Sequence, residues 1–160
     1  VRDDRPRCDL IFSFRVFWFR CILLLMAALP TDPRVDHKTI VLADDDQTTV
    51  TLLKKILERS GYRVFPAGDG EEALRICREH ESEIDLLVID VIMPKMSGTA
   101  LAKQVHTFRP DLPVLFISGV LAEEIVLSQQ PRPKEAYLPK PITNEQLLGI
   151  TRRLLAAHQA

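Results

Sequence analysis

Leu86-Leu87-Val88-Ile89-Asp90-Val91-Ile92-Met93-Pro94-Lys95-Met96-Ser97-Gly98 decides the fold. Four apolar residues in a row, two of them β-branched and followed at once by a carboxylate and a Pro- and Gly-containing loop, describe a strand buried on both faces. Two other stretches have the same form. Thr39–Ala43 runs into Asp44, Asp45 and Asp46, and Ala136–Leu138 leads, one proline later, to Lys140. Side chains just past the carboxyl ends of parallel strands converge on one crevice. The pattern therefore predicts several carboxylates gathered beside one ammonium. Carboxylates that close repel each other and lose charge unless a cation neutralises them. A hard divalent cation with oxygen ligands, Mg²⁺, meets that need.

The rest of the chain from Lys38 alternates in the same way. Thr39–Ala43, Tyr62–Pro66, Ile84–Ile89, Pro113–Ile117 and Ala136–Leu138 read as strands. Between and after them, helical spacing is carried by Val50, Leu53, Ile56 and Leu57, by Gly70–His80, by Leu101, Val105 and Phe108, by Leu121–Gln129, and by Leu147, Ile150 and Leu154. Gly61 ends the first helix, and Pro131 and Pro133 cut the fourth short. This alternation predicts an α/β fold, with a doubly wound five-stranded parallel sheet in the order 2-1-3-4-5 and helices on both faces.

Residues 1–37 stand outside this scheme, which divides the chain into an amino-terminal extension and a domain over 38–160. Leu10–Leu29 is mostly apolar and long enough to span a bilayer, but Arg15 and Arg20 are costly at that depth. Cys21–Leu29 also has the form of a signal-peptide core. Three readings stand: translated upstream sequence, a membrane-associated helix, or a signal-like segment. Pro30 and Pro33 lie in the linker that follows.

Composition narrows the function. The chain has 160 residues, 46% of them hydrophobic, enough for one domain with its own core. A net charge of −1 gives no electrostatic case for nucleic acid. Cys8, Cys21 and Cys77 have no paired metal-type spacing, which suits reduced thiols and a cytoplasmic setting. Cys77 shares an apolar helix side with Ala73 and Leu74, so its expected role is packing. His37, His80, His106 and His158 are scattered in linker and helix positions and receive no role.

Each candidate site residue also has a plain structural use. Asp90 can be a nucleophile toward phosphorus, forming an acyl phosphate, or a helix cap. Asp44 and Asp45 suit a metal site, while Asp46 best suits capping the next helix. Ser118 can donate to a phosphoryl oxygen, or bond its own turn. Lys140, between Pro139 and Pro141, can pair with the acids; a cis Lys140–Pro141 bond would aim it inward. Gly68-Asp69-Gly70 lacks the full pattern of a phosphate loop and reads as a turn entering a helix. Together these groups are the parts of a phosphoryl-transfer site.

Asp44-Asp45, Ile89-Asp90 through Gly98, Ser118-Gly119 and Tyr137-Leu138-Pro139-Lys140-Pro141 together resemble a response-regulator receiver domain, over about Lys38 to Ala157. The resemblance implies a flavodoxin-like fold and a regulatory domain, not an enzyme, that accepts a phosphoryl group from a histidine kinase or a histidine phosphotransfer protein. It implies Asp90 as the phospho-acceptor, and Asp45, Asp44, Asp90 and the backbone carbonyl of Ile92 around Mg²⁺. It further implies Ser118 on the phosphoryl oxygen, Lys140 as the countercharge, and Tyr137 as an aromatic switch. That switch would couple the site to a surface formed by the fourth helical stretch, the last strand and the last helix. Arg109–Gly119 is similar to receivers of hybrid sensor kinases, from which Val120 and the proline-broken Gln129–Pro133 depart.

The last helix uses nearly all the remaining residues, so a receiver without an output domain is expected. A phosphatase of the haloacid-dehalogenase type, with Asp44 and Asp46 as its acid pair, is the enzyme alternative. It leaves Asp90 without a role. A membrane-tethered module with a vestigial site is a third reading, against which the intact acid set argues. Ile92 stands where its side chain can gate water access to Asp90.

Overall fold

The computed structural model describes residues 38–119 and 134–158. Along them run β1 (Thr39–Ala43), α1 (Gln47–Arg59), β2 (Arg63–Ala67), α2 (Gly70–Glu79), β3 (Ile84–Asp90), α3 (Gly98–Val105), β4 (Val114–Ser118), β5 (Glu135–Pro139) and α4 (Asn144–His158). The strands form one parallel sheet in the order β2-β1-β3-β4-β5, as expected from the sequence. The helical stretch expected at Leu121–Gln129 and the apolar segment 10–29 lie outside the described residues. No helix among the described residues is long and apolar enough to cross a membrane.

The unbroken apolar runs are explained by two cores, one on each face. Val41, Leu87, Ile89 and Phe116 point to the face covered by Leu74 and Cys77 of α2 and Leu101 and Val105 of α3. Their neighbours Ile40, Leu42, Leu86, Val88, Leu115 and Ile117 point to the opposite face, covered by Leu53 and Leu57 of α1 and Leu147 and Leu154 of α4. Period-two alternation thus places the apolar residues of the central strands against one helix layer or the other. Among the described residues β2 has a partner on one side alone, and an edge strand tolerates Pro66.

Element ends differ from the sequence reading by one residue or a few. β2 begins at Arg63 rather than Tyr62, β4 runs to Ser118, and β5 extends over Glu135–Pro139. Tyr62 instead closes α1. Its N–H reaches the Leu57 carbonyl at 3.2 Å, while that of Gly61, at φ 90°, reaches Glu58 at 3.0 Å. This is a Schellman ending, in which Tyr62 packs into the same cluster as Leu57. α3 ends at Val105, and Phe108 packs against the core from the turn beyond it. Cys77 is buried, and burial pushes its thiol up to about 12, as a packing role requires.

Candidate functional site

The crevice is assembled by strand register. β1, β3, β4 and β5 stop side by side, with Asp90 paired to Ile117 and Ser118 to Pro139. Asp44, directly after β1, is fully buried; Asp90 is 7% and Ser118 1% exposed. Lys140 follows β5, and the Lys140–Pro141 bond is cis. The Lys140 N–H donates to the Ser118 carbonyl at 2.8 Å, so the end of β4 holds the lysine backbone in place.

The lysine ammonium bridges two acids. Lys140 Nζ donates to Asp44 Oδ2 at 3.0 Å and also to Asp90 Oδ2. The remaining oxygens are fixed by backbone: Asp46 N–H donates to Asp44 Oδ1 and Ile92 N–H to Asp90 Oδ1, each at 2.9 Å. Burial raises the Asp44 carboxyl above its usual range, against the opposing pull of the Asp46 N–H and of Lys140. For Lys140, burial works to lower the ammonium, but the hydrogen bonds and charges of Asp90 and Asp44 outweigh it and the net direction is up. The ammonium therefore stays charged.

Asp45 completes the acid set. Carboxylate oxygens of Asp44, Asp45 and Asp90 lie within 4.8 Å of one another. Opposite ligands of one Mg²⁺ sit about 4.2 Å apart, so small side-chain adjustments suffice to bring these oxygens round such an ion. Three carboxylates against one ammonium leave a formal excess of two negative charges. A divalent cation is what that donor set fits.

Asp46 takes a separate part. It caps α1, its carboxylate accepting from Thr48 N–H at 3.0 Å and Thr49 Oγ1 at 2.7 Å. Those bonds, that of Thr49 first, hold its carboxyl below the usual range. The acid pair of the phosphatase alternative is thereby split, with one member capping a helix and the other held by Lys140. Likewise Gly68-Asp69-Gly70 is a helix entrance, with Asp69 capping α2 through Glu72 N–H at 2.8 Å.

The loop after β3 is shaped by groups that the sequence reading did not single out. Gly98 N–H donates to the Val91 carbonyl at 3.0 Å, and a Cβ on Gly98 would stand 2.1 Å from the Asp90 carbonyl oxygen. Only glycine allows that approach. Met96 N–H donates to the Pro94 carbonyl at 2.7 Å across Lys95, whose φ is 64°. This tight turn carries backbone strain at a non-glycine residue. Ile92 is 56% exposed at the mouth of the crevice. Tyr137 is half-buried and stacks on Phe116, its cross-strand partner, at 5.0 Å between centroids.

A two-sided parallel sheet, with an acid-lined crevice at its carboxyl edge and one lysine across it, is shared with known proteins. The family model described as the response regulator receiver domain matches residues 40–152. The chain belongs to the response-regulator receiver family.

Receiver domains are regulatory phospho-acceptors of two-component systems, and they generally bind Mg²⁺ at their acidic pocket. The sensor kinase CckA of Brucella abortus is 32% identical over 117 residues, which is 73% of this chain but 12% of that protein. The alkaline phosphatase synthesis transcriptional regulatory protein PhoP of Bacillus subtilis is 35% identical over 121 residues, 73% of this chain and 50% of its own length. The chain thus matches half or less of these relatives. A solved receiver-domain protein from Clostridium thermocellum superposes with a TM-score of 0.72 at 28% identity, covering 76% of this chain and 97% of its own. The receiver domain of the hybrid histidine kinase CckA gives 0.63 at 33% identity, covering 73% and 98%.

Proposed function

We propose that Asp90 accepts a phosphoryl group from a histidine kinase or a histidine phosphotransfer protein. The observation that carries this reading is the bridge from Lys140 to both Asp44 and Asp90, 96 and 50 residues away in sequence, with Asp45 beside them. In the transfer, an Asp90 carboxylate oxygen forms a bond to phosphorus as the phosphorus–nitrogen bond of the donor histidine breaks. The electron pair leaves with the imidazole.

Asp44, Asp45, Asp90 and the Ile92 carbonyl would hold Mg²⁺, which supplies charge neutralisation for the phosphoryl oxygens. The Lys140 ammonium exchanges its contact with the free carboxylates for one with a phosphoryl oxygen, and the Ser118 hydroxyl donates to another phosphoryl oxygen. Tyr137, beside β4, moves inward as Ser118 shifts, which carries the state of the site to the outer surface of β5 and α4. Output is binding of a partner, or onward transfer of the phosphoryl group. The domain acts as a regulatory acceptor rather than an enzyme, in the cytoplasm, with no direct nucleic-acid contact of its own.

Incubation of the full chain with MgCl₂ and acetyl phosphate tests this reading. A labile acyl phosphate should form and should be lost in Asp90→Asn or on chelation of the metal. Labelling that persists in Asp90→Asn would overturn the assignment.

A further inference from the structure

The turn between β2 and α2 carries none of the groups assigned to phosphoryl transfer, yet it lies against the start of α1 and against the loop after β3. Toward α1, a Cβ on Gly68 would stand 3.0 Å from Nε2 of Gln47, the first residue after the Asp44–Asp46 loop. Toward the loop after β3 the contacts are closer. A Cβ on Gly70 would stand 2.8 Å from the Met96 carbonyl oxygen. Lys95 Nζ bonds Asp69 Oδ2 at 2.6 Å and lies 3.9 Å from Glu71 Oε2.

Asp69 serves both sides of this junction. Oδ1 caps α2 through Glu72 N–H, and Oδ2 holds Lys95. The turn itself is tied down where Glu72 Oε2 accepts from Gly68 N–H at 2.8 Å. Lys95 is also the residue with φ 64°. A strained turn persists where its surroundings over-determine it, and here the determinants include the short Lys95–Asp69 ion pair, a longer one to Glu71 and the close approach of Gly70 to the Met96 carbonyl. The strained turn begins two residues after Ile92, the residue whose carbonyl is assigned to the metal.

We infer that Asp69 and Lys95 are a pair of positioning residues for that carbonyl. Their ion pair pins the outer end of the loop to α2, and so presets the geometry in which the crevice takes Mg²⁺. The inference rests on the metal assignment above and adds to it residues that touch neither metal nor phosphoryl group.

Calorimetric titration of the full chain with MgCl₂ tests it. Asp69→Asn retains a capping oxygen, since asparagine caps as well as aspartate, but removes the charge. Lys95→Gln removes the other charge. Each should weaken Mg²⁺ by about two- to five-fold, the scale of an exposed pair acting through geometry. The double variant should be no weaker than either single one, and Lys95→Arg should retain the parent affinity. Raised NaCl should bring the parent toward the variants, while thermal melts of Asp69→Asn stay close to the parent because the cap survives. Variants that match a Mg²⁺-binding parent, or losses that add in the double variant, overturn the pair. A parent that takes no Mg²⁺ overturns the metal assignment as well.

Discussion

The two ends of the sheet treat charge in opposite ways. At the amino ends of the strands, acids meet bases in matched sets. Asp85 takes Lys38 Nζ at 2.9 Å and Thr39 N–H at 2.8 Å, closing the irregularity where β1 shifts register against β3. Glu83 takes Arg63 at 2.7 Å and His80 at 3.0 Å, and both of those residues also contact the Phe65 ring. At the carboxyl ends, three acids gather and two of them, Asp44 and Asp90, share Lys140. Balanced charge at one end closes the structure. The imbalance at the other is what a divalent cation would neutralise, and ligand chemistry is expected there.

The largest expected effect separates the two ends outright. Asp90→Asn should abolish acetyl-phosphate labelling, whereas Asp85→Asn, an equally conservative change at the opposite end, should leave labelling intact and lower the urea midpoint. Equal labelling losses would erase the distinction. Next comes Gly98→Ala. Its new methyl group would meet the Asp90 carbonyl oxygen, so the chain must shift at the site itself. We expect a loss of ~2 kcal/mol in urea unfolding, together with slower labelling.

A smaller effect is expected at the crevice mouth. Ile92→Asn replaces an exposed branched side chain with one able to orient water, and should shorten the acyl-phosphate half-life severalfold; equal lifetimes would refute the gate. The smallest effect lies at the amino ends. His80 first, then Arg63, hold the Glu83 carboxyl below its ordinary value of 4.5. A depressed carboxyl contributes stability above its unfolded-state value, and that contribution is lost as pH falls through the folded one. Glu83→Gln should therefore unfold slightly more easily than the parent at pH 7, and the two should converge in strong acid.

Much of this molecule is legible locally. Leu86–Ile89 could be read as a two-sided strand because each of its four positions is apolar, and a segment flanked by helix layers buries both faces. Asp46 could be assigned to capping, and Asp69 to a helix entrance, because a cap is set by residues within one turn. The closing of α1 at Gly61 was readable for the same reason. Gly98 was different. It stood in the quoted motif, but the need for glycine arises from the backbone of Asp90, eight residues earlier and folded back against it. The Asp69–Lys95 pair and the lock of Asp85 on Lys38 gave no local signal, since each joins segments 26 or 47 residues apart.

From residue order alone come the alternation of strand and helix, the burial of the central strands, and the chemical kinds gathered at their ends. Those follow from hydrophobic periodicity and chain direction, which act over a few residues. The tertiary structure adds the assignments between equals. Three consecutive aspartates became a buried lysine partner, an exposed member of the acid cluster and a helix cap according to where β1 stops relative to β3 and β5. Register among strands far apart in the chain sets those distances, and it is a property of the packed sheet rather than of any one segment.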